Sequence, residues 1–205
     1  MITSFAHHHD NPRAEGPARA DDYRALSDYL DAPVVTKPID GTRVQLDRSP
    51  VPEILHGRAD VLRSQIASLT FRRRYRVGLL SFTDDEIDVA AFNAGERRSR
   101  RAIDLALQLF YEALWPGIPA SARPAPYVTT HTHTGRLEVN LAAPRAVVLR
   151  DRAYSHNPDP PVRRGEAPTY WRAFRDLLIH RFGWADPEAP ERRQDTVLPG
   201  WRGKL

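Results

Sequence analysis

The stretch Tyr127-Val-Thr-Thr-His-Thr-His-Thr-Gly-Arg-Leu-Glu-Val-Asn-Leu141 decides how this chain reads. Leu137, Val139 and Leu141 alternate with Arg136, Glu138 and Asn140. That is the period of a half-buried strand with its polar side chains on one face. Thr134-Gly135 reads as a tight turn, because glycine tolerates positive φ. A two-residue turn there pairs position 131 with position 138. Directly opposed residues of a hairpin point the same way, and neighbouring strands lie about 4.8 Å apart. His131, Glu138 and Asn140 are therefore expected to converge. An imidazole, a carboxylate and an amide oxygen on an open sheet face make a site for a divalent cation. A plain surface pair of His and Glu has the same local pattern.

Outward from this hairpin, the chain alternates between clear and unclear segments. Residues 1–5 read as a short first strand and 6–20 as a loop holding His7, His8 and His9. Asp21 to Leu30 has helical spacing at Tyr23, Leu26, Tyr29 and Leu30, and Pro33 stops it. Residues 31–52 are Pro-rich and read as loop, with at most a short strand around Val44–Leu46. A helix is expected at about 58–69, and Tyr75–Phe82 is a strand. Asp84–Asp88 is an acidic turn. Arg97–Trp115 is the strongest helix, with Ile103, Leu107, Phe110 and Leu114 on one stripe and Pro116-Gly117 at its end. Ala146–Arg150 adds a candidate strand. Asn157–Pro168 is irregular, and Thr169–Phe182 is an amphipathic helix with Trp171, Phe174, Leu178 and Phe182 inward. Residues 184–205 read as a tail. Strands with two or three crossing helices predict an α+β sandwich.

The bulk composition narrows the function classes. One compact domain is the default at 205 residues, and 18 prolines imply long irregular connections. There is no cysteine, which excludes disulfides and thiolate metal sites and agrees with a cytoplasmic location. No apolar run approaches the ~20 residues of a membrane span. Met1-Ile-Thr-Ser-Phe-Ala is too short and polar for a secretory leader. The net charge is +4, and all basic residues but Lys37 and Lys204 are arginines. Arginine grips phosphate bidentately and stacks on bases, so the clusters Arg72-Arg73-Arg74 and Arg97-Arg98-Ser99-Arg100-Arg101 raise the case for nucleic acid. Solvated helix faces rich in arginine give the same count.

The segment Gly135-Arg-Leu-Glu-Val-Asn140, with His131 seven residues before Glu138, resembles the third motif of plasmid mobilisation relaxases. These belong to the HUH superfamily of single-strand DNA endonucleases. Their colicin-plasmid branch keeps the first metal-binding His and replaces the other two with Glu and Asn. Two further stretches resemble the same branch. One runs from Leu55-His-Gly57 through Arg73-Arg-Tyr-Arg-Val-Gly-Leu-Leu-Ser-Phe82, and the other from Trp171 through Phe182-Gly-Trp-Ala-Asp-Pro-Glu-Ala-Pro-Glu-Arg-Arg193. The resemblance spans about residues 23 to 193, and the third motif is its most specific part. It implies a relaxase domain over 1–193 and a loose tail over 194–205. The implied fold is an HUH-type α+β domain: a mainly antiparallel sheet of about five strands, helices behind it, and the metal site on the open face.

The resemblance also implies a reaction. Relaxases attack DNA with a tyrosine near the N-terminus, and Asp28-Tyr29-Leu30 resembles that first motif; Tyr23, six residues earlier, is the rival. Attack would leave a 5′-phosphotyrosyl link and a free 3′ hydroxyl on single-stranded DNA at an origin of transfer. His131, Glu138 and Asn140 would hold Mg²⁺ or Mn²⁺, which suit one nitrogen and two oxygen ligands better than zinc does. His133 stands where relatives usually have an Asp that orients a ligand or accepts the tyrosine's proton; an imidazole there can do the same, act as a spare ligand, or be an exposed residue with no role. Arg73, Arg74, Arg136 and Ser81 are candidate DNA contacts. Accessory mobilisation proteins and a coupling protein are the implied partners. The same fold also serves rolling-circle replication initiators, but their His-hydrophobe-His motif is absent. A degenerate domain that binds DNA without cutting it is the non-enzymatic alternative.

Overall fold

The computed structural model describes residues 2–6, 18–157 and 167–190. The His7, His8 and His9 run, most of the irregular 157–168 stretch, the tail beyond residue 190 and the 193/194 boundary lie outside the described residues. From the N-terminus the elements are β1 (Ile2–Ala6), a 3-10 turn (Ala20–Tyr23), α1 (Arg24–Asp31), β2 (Val34–Ile39), β3 (Thr42–Asp47) and β4 (Glu53–His56). Then come α2 (Ala59–Ser68), β5 (Tyr75–Phe82), α3 (Val89–Asn93) and α4 (Arg97–Leu114). The chain continues with β6 (Tyr127–His131), β7 (Leu137–Pro144), β8 (Ala146–Leu149), β9 (Arg152–Ser155) and α5 (Ala167–Phe182).

Five strands form the main sheet in the order β1-β5-β7-β6-β4, with each neighbouring pair antiparallel. The expected α+β class with a five-stranded antiparallel sheet therefore holds. β7 is the central strand, and β5 lies beside it. Strand alternation then sorts the side chains. Leu80, Phe82, Val128, Leu137, Val139 and Leu141 face one way and pack with Ile103, Leu107, Phe110 and Leu114 of α4 and with Phe174 and Leu178 of α5. Burying each of these large side chains stabilises the fold by about 1.5–3 kcal/mol.

The opposite face is not open, which corrects the expectation of helices on one side only. Val77, Tyr127 and Ala142 pack there against Leu30 of α1 and Leu62 and Ile66 of α2. Central strands covered on both faces read as nearly continuous burial, and Leu137 to Pro144 shows it: only Glu138 is partly exposed.

Three segments depart from their sequence reading. Residues 34–47 form an antiparallel hairpin rather than a loop, pairing Val34 with Asp47 through to Ile39 with Thr42. Asp40 (φ 49°) and Gly41 (φ 79°) make its two-residue turn, the positive-φ pair that matches strand twist. Pro38 is tolerated because this is a two-stranded ribbon made only of edges. The segment before α2 is a strand, β4, joined to β6. Ala146–Leu149 pairs with an unanticipated strand, Arg152–Ser155. The arginine cluster at the start of α4 is partly structural. Arg100 binds both carboxylate oxygens of Glu53 at 2.6 and 2.7 Å and lies over the Phe92 ring.

Candidate metal and nucleophile site

The β6–β7 register pairs His131 with Glu138 and Thr129 with Asn140. The β5–β7 register pairs Ser81 with Glu138 and Leu79 with Asn140. Two ranks thus cross three strands on one face: Ser81, Glu138, His131 and, next to it, Leu79, Asn140, Thr129. The three ligand candidates share this face, as their spacing predicted. The connecting turn differs in detail. It spans Thr132–Gly135, closed by Gly135 N–H donating to the Thr132 carbonyl at 3.1 Å, so β7 starts at Leu137. His133 sits inside this turn, and exposed Arg136 lies just before the paired residues of β7.

Helix α1 ends against this face. The last carbonyls of a helix have no partner within it. Here the Leu30 carbonyl accepts from Thr129 Oγ1 and from His131 Nε2, both at 2.9 Å. A carbonyl can only accept, so His131 carries its proton on Nε2, and the ring's lone pair is on Nδ1. Metal-binding histidines are commonly oriented this way, through a backbone carbonyl on the other nitrogen. The C-terminal end of α1 also brings partial negative charge, which favours a cation.

Asn140 is 4% exposed, and its Nδ2 has no hydrogen-bond partner. A buried amide left unsatisfied costs about 1–3 kcal/mol. With its amide oxygen on a cation and its NH₂ on a bound acceptor, that cost would be recovered. The His, Glu and Asn donor set therefore fits a hard divalent ion. Among the described residues, no group of three His, Cys, Asp or Glu side chains is placed to hold a metal.

Tyr29 lies on α1 beside the ligands. Its ring is edge-on to His131, with centroids 5.9 Å apart, and the residue is 55% exposed. The rival Tyr23 is held elsewhere: its hydroxyl accepts from Arg74 Nη1 at 3.0 Å, and its ring meets Tyr75 at 5.9 Å. Arg74 also donates to the Phe71 carbonyl, so it serves internal packing more than the free surface expected of a DNA contact. Arg73 is exposed, and Ser81 is buried at 6% exposure on the ligand face. His133 is edge-on to His131 at 5.7 Å.

One residue at the site had no signal in the sequence. Arg48, just after β3, is 4% exposed. Its Nη1 donates to the carbonyls of Tyr29 (2.8 Å) and Ala32 (3.2 Å), and its guanidinium lies 5.6 Å from the centre of the Tyr29 ring. Burial lowers its pKa, opposed by the charges of Tyr29 and Asp31. It caps the end of α1 and fixes the backbone that carries the tyrosine. Asp31 is engaged by Tyr127, whose hydroxyl donates to Oδ2 at 2.6 Å.

The chain is similar to a DNA relaxase. That relative is DNA relaxase MbeA of Escherichia coli, 27% identical over 146 residues, which is 71% of this chain and 25% of the relative. The chain thus spans about a quarter of the relative's length. No family model and no solved structure matches it. No described helix is long and apolar enough to cross a membrane.

Proposed function

We propose that this chain is a relaxase nicking domain of the HUH type, in the colicin-plasmid branch, acting on single-stranded DNA at an origin of transfer. The observation that carries the reading is the placement of the Tyr29 ring against His131, on the face shared with Glu138 and Asn140. The similarity to a DNA relaxase supports the same reading.

In this mechanism Tyr29 Oη attacks the scissile phosphorus, forming an O–P bond. The P–O3′ bond breaks, and the 3′ oxygen leaves and takes a proton. The product is a 5′-phosphotyrosyl strand that retains the bond energy for rejoining. A neutral phenol is a weak nucleophile and needs help to attack a phosphodiester. Mg²⁺ or Mn²⁺ held by His131, Glu138 and Asn140 would supply charge neutralisation at the phosphate. Arg48 and the Leu30 carbonyl hold α1 and the imidazole in register. His133 is the candidate acceptor of the phenol proton. Accessory mobilisation proteins and a coupling protein are the partners this reading implies.

The test is a covalent one. The protein is incubated with single-stranded oligonucleotides from its own element and Mn²⁺, then denatured. An adduct that survives, is lost in Tyr29→Phe and persists in Tyr23→Phe supports the assignment. Tight binding without an adduct under any divalent ion would instead make this a domain that holds DNA without cutting it.

A further inference from the structure

A groove of about 850 Å³ lies where the turn after β5 meets the start of α4 and the end of α5. Asp84, Asp85, Glu86 and Asp88 of the turn make it acidic on one side, while Arg98 and Arg101 of α4 and Arg181 of α5 make it basic elsewhere. Phe182 and Trp184 also line it, and the Trp184 ring stands edge-on to Phe82 at 5.4 Å. Phe82 packs toward α4 from the strand position next to Ser81. Groove and ligand face therefore lie on opposite sides of β5.

Charges of both signs line the groove, yet they do not pair with one another. Glu86 accepts from the Thr83 N–H at 2.8 Å and Asp88 from the Ala91 N–H at 2.9 Å, which holds the turn and caps α3. Arg98, Arg101, Arg181 and Asp84 are exposed, and among the described residues they form no hydrogen bond or ion pair. Arg98 also stands in the first turn of α4, where the helix dipole disfavours a cation. A nucleic-acid strand would meet the carboxylates along with the arginines. Among the described residues, no three acidic side chains are placed to hold one cation. The matching surface carries both signs and an apolar residue, and this chain supplies one. Leu177, 50% exposed, lies one turn before Arg181 on the same face of α5.

We propose that this groove and the Leu177 face of α5 form the interface of a two-fold dimer of this chain. A two-fold axis makes every contact twice, so a patch bearing both signs is complementary to itself. The acidic turn of each copy meets Arg98 and Arg101 of the other, and Leu177 of each copy supplies the apolar contact beside them. Exposed ion pairs alone contribute little, so the leucine contact is the part that excludes water. Both ligand faces stay clear in this arrangement. The inference does not rest on the nicking reading.

Sedimentation equilibrium of the full chain, without DNA, tests it. The parent should be a dimer at low salt, and its dissociation constant should rise about tenfold or more at about 0.5 M sodium chloride. Arg98→Glu with Arg101→Glu, and separately Asp84→Arg with Asp85→Arg, should each be monomeric where the parent is a dimer. Mixed in equal amounts, these two variants should associate again, because both repulsive contacts become attractive ones. Leu177→Glu should be monomeric with its circular dichroism unchanged. A parent that sediments as a monomer throughout overturns the proposal. So does a dimer that the charge variants leave intact, or a mixture of the two that stays monomeric. A monomeric parent whose arginine variant loses single-stranded DNA binding would give the groove to nucleic acid instead.

Discussion

His131 donates from Nε2 to the carbonyl oxygen of Leu30 at 2.9 Å, joining the central sheet to the helix that carries Tyr29. One bond thus sets both the tautomer of the candidate ligand and the position of the neighbouring candidate nucleophile. Replacing the ring by a group that keeps the bond separates these two roles. His131→Gln retains an N–H for Leu30 and should keep stability within about 1 kcal/mol, yet lose Mn²⁺ binding. Calorimetric titration with Mn²⁺ and urea unfolding of the same variant check both halves. Undiminished Mn²⁺ affinity would remove His131 from the ligand set.

Asn140 offers a prediction of opposite sign in the presence and absence of metal. Replacing it by Leu removes a buried donor that has no partner, so the variant in chelator should be as stable as the parent or more so. Added Mn²⁺ should then raise the melting temperature of the parent but not of Asn140→Leu. An equal rise in both would place the ion elsewhere.

One buried phenol and one partly buried phenol predict an alkaline limit. Burial pushes up the pKa of Tyr111, and burial first, then the Asp31 carboxylate, pushes up that of Tyr127. The fold keeps both neutral. Their stabilising contribution is therefore complete below the ordinary phenol value of about 10 and is lost as pH rises through the raised folded values. An ultraviolet tyrosinate titration should show part of the seven tyrosines ionising only as the protein unfolds, and Tyr111→Phe should reduce that late fraction. Full titration with circular dichroism intact would refute this.

Gly57 stands at φ 79° between β4 and α2, and a Cβ there would meet the Pro126 carbonyl oxygen at 2.2 Å. Both the backbone angle and the contact oppose any side chain. Gly57→Ala should cost about 2 kcal/mol or more, read from the urea midpoint. A loss much smaller than that would mean β4 can shift away from β6 at little cost.

Much of this site was legible in residue order because the relevant geometry is local. A period of two over Leu137–Leu141 put Glu138 and Asn140 on one face, and a short connection forced His131 opposite Glu138. The turn itself was placed too late, since Gly135 serves at the end of a Thr132–Gly135 turn and not at its centre. The stripe of α4 was equally plain. The β2–β3 hairpin was hidden behind Pro38 and Pro50, although Asp40-Gly41 between β-branched residues is a strong hairpin signal. β4 has only four residues, too few to show a period. Neither the Leu30 carbonyl nor Arg48 could be found in this way. A backbone oxygen has no residue signature, and Arg48 reaches the helix across a separation of 19 positions.

Arg48 follows the β2–β3 ribbon directly, and its own N–H closes the base of that ribbon on the Pro33 carbonyl at 2.7 Å. The two ends of the ribbon therefore tolerate change very differently. A peptide tag grafted at Asp40-Gly41 would hang from an exposed tip and leave the tyrosine where it is. One residue inserted between Asp47 and Arg48 would pull the guanidinium off the end of α1, loosening the nucleophile without touching a single ligand.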